Sequence, residues 1–205
     1  NEILKEAFQT NYIKYDKNQE EHYNIISAFI KSIRGSDPDA AVYWLARMLH
    51  GGEDPKFIAR RMIVLSSEDI GNADPNALTL AVSTFTAVDF IGMPEAALVL
   101  SQTAIYLASC PKSNASYKAI GKAKEDVNNL PAYDVPLHLR NAPTKLMKDL
   151  NYGKEYKNAH DFDDNFAEQQ YLPDELKDKI YYSPSENGKE MDFKKRLNDL
   201  WKNKR

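Results

Sequence analysis

The stretch Asp37-Pro38-Asp39-Ala40-Ala41-Val42-Tyr43-Trp44-Leu45-Ala46-Arg47-Met48-Leu49-His50-Gly51-Gly52-Glu53-Asp54-Pro55 carries the pattern from which the fold is read. Asp37 suits a helix N-cap, because its carboxylate accepts from the orphan amides of a first turn. Pro38 costs nothing at the next position, where its missing N–H would have had no partner. Ala41, Trp44, Leu45, Met48 and Leu49 then recur at helical spacing, Gly51-Gly52 supplies a stop, and Asp54-Pro55 opens the next element.

The same punctuation continues outward from this stretch. Asp74-Pro75 and Met93-Pro94 precede further apolar segments, and Gly35, Gly71 and Gly92 fall where preceding helices need to end. Starts and stops alternate about every twenty residues, one helix plus a short turn. Ile26, Phe29, Ile30 and Ile33 form one stripe; Ile58, Met62 and Leu65 another; Leu78, Ala81, Val82, Phe85 and Val88 a further one. Residues 40–49 and 96–108 are apolar nearly all round, which predicts central helices. A sixth helix is expected from Ser113 or Asn114 to about Asn129. No strand-like alternation is present, so the expected class is all-α: an array of short antiparallel helices.

Beyond Pro131 the texture changes. Pro131, Pro136 and Pro143 interrupt the chain, Thr144 to Leu150 reads as a short helix, and residues 154–188 are polar and tyrosine-bearing. A stripe of Met191, Leu197, Leu200 and Trp201 restores a helix at the end. The expected organisation is a connecting segment over 1–20, a helical domain over 21–150, and over 151–205 an extended polar tail with a C-terminal helix, packed on the helical body.

With 205 residues, ordinary apolar content and a formal net charge of −3, the chain can bury a core and is not one large basic footprint for nucleic acid. The lone Cys110 lies in an apolar run and reads as a buried small hydrophobe in a reducing setting. The most apolar run, 96–110, is broken by Ser101, Gln102 and Thr103, so no membrane span or membrane partner is expected. The opening Asn1, with no initiator Met, suggests a piece of something longer.

Motifs of chemistry are missing. Gly121-Lys122 has Ser116 and Ala123 where a phosphate-binding loop needs glycine and a magnesium-binding hydroxyl, and it falls inside an expected helix. Asp174-Glu175 follows Pro173, which would interrupt the strand a Walker B acid needs. The histidines 22, 50, 138 and 160 have no metal-ligand spacing. No catalytic, cofactor-binding or metal-binding residue is therefore expected in this chain.

Several stretches together are specific: Lys31 to Ala41 (Lys-Ser-Ile-Arg-Gly-Ser-Asp-Pro-Asp-Ala-Ala), Tyr43 to Leu49, Ser67 to Pro75 (Ser-Glu-Asp-Ile-Gly-Asn-Ala-Asp-Pro), Pro111 to Asn114, and Val135 to Thr144. They resemble the C-terminal region of the replication-associated recombination protein A (MgsA) family, AAA+ ATPases that include the eukaryotic Werner-helicase-interacting protein. The likeness runs almost continuously from residue 21 to about 183, and the first twenty residues look like the end of an upstream lid region. It implies a clamp-loader-like parent acting on DNA at stalled or gapped forks. In such a parent the C-terminal region resembles the clamp-loader collar and forms a homotetramer. ATP and magnesium would be bound in an upstream module. DNA and fork proteins such as single-stranded-DNA-binding protein would be met through the full-length protein, in the cytoplasm at the nucleoid. A direct DNA-binding or replication-protein-binding module is the alternative reading.

Seven residues are candidate contacts to a partner or to DNA: Arg34, Arg60, Arg61, His138, Arg140, Asn141 and Lys145. Arg34 borders a helix junction and is open between a contact and a structural part. Arg60 and Arg61 stand beside an apolar stripe with Glu68 and Asp69 downstream, which favours ion pairing, such as Arg61 with Glu68, over phosphate binding. His138, Arg140, Asn141 and Lys145 lie around a proline-bounded loop that either serves a site or hydrogen-bonds itself shut. Tyr152, Tyr156, Tyr171, Tyr181 and Tyr182 are read as anchors of the tail rather than base-stacking platforms, because acidic neighbours repel phosphate. Lys112, Lys118, Lys122 and Lys124 are read as a solvated basic face.

Overall fold

The computed structural model describes residues 19–202, whose regular elements are all helical, with no strand among them. The segment 1–18 of the expected connecting region lies outside the described residues. Eight α-helices are present: α1 (Gln19–Arg34), α2 (Pro38–His50), α3 (Pro55–Leu65), α4 (Asn76–Ile91), α5 (Ala96–Ser109), α6 (Ala115–Asn129), α7 (Lys145–Asp149) and α8 (Glu190–Leu200). A π-helical turn (Ser66–Ile70) and a 3-10 turn (Gly71–Ala73) join α3 to α4.

The aspartates act as the sequence requires. Asp37 accepts from the Ala40 amide at 2.9 Å, and Asp54 from the Lys56 amide at 2.9 Å, each with proline at the first helical position. Asp74 accepts from the Asn76 amide at 3.1 Å, so α4 begins one residue beyond Pro75. Each carboxylate meets N–H groups that the first turn would otherwise leave unpaired.

The chain forms two compact units. The first comprises the described residues up to Tyr117 together with Pro184–Met191. In it α5 packs against α1, α2, α3 and α4, in line with its apolar sequence. The core is close-packed, with Phe29, Ile33, Met48, Ile58, Met62, Leu65, Leu100 and Leu107 fully buried. Thr84 and Thr103 meet inside it at 2.6 Å; Thr84 donates to the Leu80 carbonyl, so Thr103 donates to Thr84. This chain of bonds lets two polar side chains sit in the α4–α5 contact without an orphan.

One helical expectation needs correction. On α4 the buried face is Ala77, Ala81, Thr84 and Val88, and Leu78 and Val82 are exposed. The reason is that α4 is apolar on nearly every side, so hydrophobic period alone does not orient it; the small residues and the threonine pair do. By contrast, α5 packs on four helices and α2 on α1 and α5, as expected of central helices, while Tyr43 and Leu98 reach the surface at 56% and 73% exposure.

The second unit comprises Lys118–Ser183 and the chain from Asp192 onward. It holds most of α6, a 3-10 turn (Leu137–Leu139), α7, three further 3-10 turns and the remainder of α8. Ala167 is its one buried apolar residue among those described. Polar and aromatic links organise the rest. Tyr181 donates to Asp126 at 2.8 Å, and Lys179 donates to the same carboxylate at 3.1 Å. These bonds hold the Asp126 carboxyl below its usual range. Trp201 meets Phe166 edge-on at 5.1 Å and Tyr171 at 6.5 Å.

Candidate functional site

Arg34 ends α1 and reaches the π-helical turn, where its Nε donates to Asp69 Oδ1 at 2.7 Å; a terminal guanidinium nitrogen stands 3.6 Å from Glu68. The bond to Asp69 raises the Arg34 pKa above its already high value. The two carboxylates thus pair with Arg34, not with Arg61. The Asp69 carbonyl accepts from the Ser113 amide at 2.8 Å, while its buried Oδ2 has no partner among the described residues.

Lys112 does not belong to a solvated basic face. Its ammonium donates to the Cys110 and Ala108 carbonyls at 2.6 and 3.0 Å and to Ser36 Oγ at 3.2 Å. It closes the carbonyl end of α5, where a cation opposes the helix dipole, and burial lowers its pKa. Cys110 is also inert: burial and the bond to Asp74 push its thiol up to about 12. The stretches around Arg34, Asp69 and Lys112, separate in sequence, therefore meet in one polar junction.

A fourth segment of the chain completes this junction, and sequence reasoning missed it. Ser113 Oγ and the Ser185 amide donate to Glu190 Oε2 at 2.6 and 2.7 Å, with Glu190 fully buried. Asn187 donates to the Lys112 carbonyl at 2.8 Å, and the Lys189 amide to the Ala73 carbonyl at 2.9 Å. Gly188 has φ +52°, and a Cβ there would lie 2.1 Å from the Ala73 oxygen. The turn dipeptide Asn187-Gly188 was the available signal. Every charge in this junction is matched by a donor or acceptor except at Asp69 Oδ2, which makes it a structural lock.

Arg60 pairs with Asp54 at 3.5 Å and lies over the Phe57 ring at 5.9 Å. Arg61 is exposed, and no side-chain partner engages it among the described residues. Arg60 and Arg61 belong to the first unit, His138 and Arg140 to the second.

In the second unit, His138 and Arg140 line a cavity of about 420 Å³ with Asp134, Val135, Pro136, Leu137, Gln170, Asp174 and Glu175. His138 Nε2 stands 2.7 Å from the Gln170 carbonyl; a carbonyl only accepts, so Nε2 carries the proton. Arg140 donates through Nε to the Val135 carbonyl at 2.6 Å and through a terminal nitrogen to Tyr152 Oη at 3.3 Å. Its plane covers the Tyr152 ring at 5.2 Å, and its other terminal nitrogen is 3.6 Å from Asp134. Asn141 and Lys145 are exposed and outside the lining. The sequence singles out His138 and Arg140 as candidates but not Asp174 and Glu175, some thirty-five residues onward, with which they share this lining.

Apolar side chains also reach the surface of the first unit. Phe90, Ile91 and Met93 follow one another at the end of α4, with Phe90 82% exposed. Leu98 and Ile105 stand seven residues apart on one outer line of α5, and Leu78 and Val82 occupy the flank of α4.

Gly121-Lys122 lies within α6, where backbone amides are already committed to carbonyls. Among the described residues no group of three or more His, Cys, Asp or Glu side chains is placed to hold a metal ion, and no helix is long and apolar enough to cross a membrane.

The family described as MgsA AAA+ ATPase C terminal matches residues 35–201, and the one described as AAA C-terminal domain matches residues 1–34. Replication-associated recombination protein A of Haemophilus influenzae is 47% identical over 97% of this chain and 45% of its own length. The protein of that name from Escherichia coli K12 is 44% identical over 92% of this chain and 42% of its own length. ATPase WRNIP1 of Dictyostelium discoideum is 45% identical over 85% of this chain and 20% of its own length. The chain thus spans less than half the length of each of these relatives.

Proposed function

The chain belongs to the MgsA AAA+ ATPase C-terminal family, and from that premise we propose that it is the self-assembling, non-catalytic C-terminal region of a DNA-dependent AAA+ ATPase. The parent acts in replication-fork maintenance, recombination and repair in the cytoplasm, at the nucleoid, with its ATP and magnesium site outside this chain. It meets DNA and fork proteins such as single-stranded-DNA-binding protein as the full-length molecule. The names of the relatives support the parent's setting.

The observation that carries self-assembly is the apolar surface of α4 and α5. Phe90 and Leu98 are each mostly exposed, and removing such side chains from water contributes about 1.5–3 kcal/mol apiece. Packing this surface against further copies accounts for an exposure that a lone protomer leaves unused, and a homotetramer is the expected product. Static light scattering after gel filtration tests this at roughly 10–50 μM, a range that brackets ordinary affinities. A tetramer is expected, with Leu98→Glu shifting it toward monomer. A monomer throughout that range, with or without the substitution, overturns the reading. ATP turnover by the pure chain would overturn its non-catalytic part.

A further inference from the structure

We propose that the cavity of the second unit receives a lysine or arginine side chain from a partner protein. The donors and acceptors that line it are unequally committed. The Arg140 guanidinium is held by the Val135 carbonyl, Tyr152 and Asp134, and the His138 Nε2 proton is given to Gln170. Gln170 spends its side-chain amide on the Leu172 carbonyl and Asp174 Oδ1, at 3.0 and 2.7 Å. Left without a partner among the described residues are the Glu175 carboxylate and Asp174 Oδ2. The uncommitted carboxylate oxygens are acceptors, and the three lining carboxylates outnumber the one guanidinium.

The remaining wall is apolar: Val135, Pro136 and Leu137. A volume of about 420 Å³ is ample for one long side chain. An aliphatic stem along that wall and a cationic head at Glu175 and Asp174 matches both halves of the lining, because such side chains keep the stem on apolar surface and the charge at a polar rim. Phosphate meets the opposite chemistry here, since the one cation that lines the cavity is already engaged. This inference concerns the second unit and stands or falls independently of the assembly surface on α4 and α5.

The test is calorimetric titration of the whole chain at low ionic strength. The probe is an end-capped Gly-Arg-Gly peptide, compared with Gly-norleucine-Gly, spermidine, inorganic phosphate and single-stranded oligonucleotide. Expected is weak binding of the arginine peptide, none of the norleucine peptide or phosphate, and at least fivefold loss of affinity in Glu175→Gln. Glu175 has no internal bond among the described residues, so this substitution spares the fold; unchanged circular dichroism checks that. Equal binding of the two peptides, an unaffected Glu175→Gln variant, or no arginine binding sinks the proposal. So does spermidine binding in preference to the peptide, or phosphate or oligonucleotide binding that Arg140→Gln abolishes.

Discussion

The two units of this chain are stabilised by different means. The first surrounds α5 with four helices and excludes water from some twenty apolar side chains, whereas the second buries Ala167 alone among its described apolar residues. Yet the second is not short of organisation: Asp126, Gln169, Gln170, Arg140 and Trp201 each tie two or more segments together. Burial is non-directional and tolerates some looseness of sequence, while a polar scaffold depends on particular donors meeting particular acceptors. A substitution should therefore act globally in the first unit and locally in the second.

The largest test of that contrast is Phe29→Ala. Phe29 is fully buried, and losing an aromatic side chain from such a core costs about 3–5 kcal/mol. Chemical denaturation should show a single transition at lower denaturant; a shift below about 1 kcal/mol would mean that the first unit is not one packed core.

Gly188→Ala comes next, at about 2–3 kcal/mol, because it combines a left-handed backbone with a collision against the Ala73 carbonyl. Amide exchange at Lys189 should accelerate sharply, since that N–H is bonded to the same carbonyl. Unchanged exchange would show that the return segment is held by other means. Arg34→Ala removes the partner of Asp69 Oδ1 beside an oxygen that already lacks one. Arg34 is about half exposed, so solvent tempers the loss to about 1–2 kcal/mol, and Asp69→Asn in the same chain should restore part of it. No recovery in the double variant would indicate that the guanidinium acts elsewhere.

The smallest effect belongs to the second unit. Tyr181→Phe deletes one of the two bonds that depress the Asp126 pKa, so that pKa should rise toward the ordinary carboxylate range in a proton-titration experiment. A depressed carboxylate contributes stability above its unfolded value and loses it as pH falls through the folded one. The variant should therefore fray the contact of α6 with residues 179–181 at a less acid pH than the parent, with the denaturation midpoint of the first unit unmoved. Loss of the first unit's cooperativity in this variant would erase the contrast.

The helices were readable because their signals are local. Asp37 and Asp54 cap where their positions in sequence require, and the apolar period of α1 names its buried residues except Ile25. Where period was degenerate, as on α4, sequence gave the helix but not its rotation. Among the candidate residues, Arg34 borders a helix junction, but Glu68, which the sequence offers to Arg61, pairs with Arg34 instead, since contacts between segments so far apart leave no local trace. The acidic side of the cavity and the Glu190 contact were invisible for the same reason: hydrogen bonds between distant segments impose no periodicity.

The path of the backbone has a practical consequence for cutting the molecule. It leaves the first unit after Tyr117, comes back at Pro184, and departs again after Met191. A protease that nicks the exposed run near Lys154 to Lys157 should leave two pieces that still co-elute, because the downstream piece is clasped through Asn187, Lys189 and Glu190. Trimming the gene at residue 150, by contrast, would strip a plug from the helical body and leave Ser113 and the Ala73 carbonyl facing water.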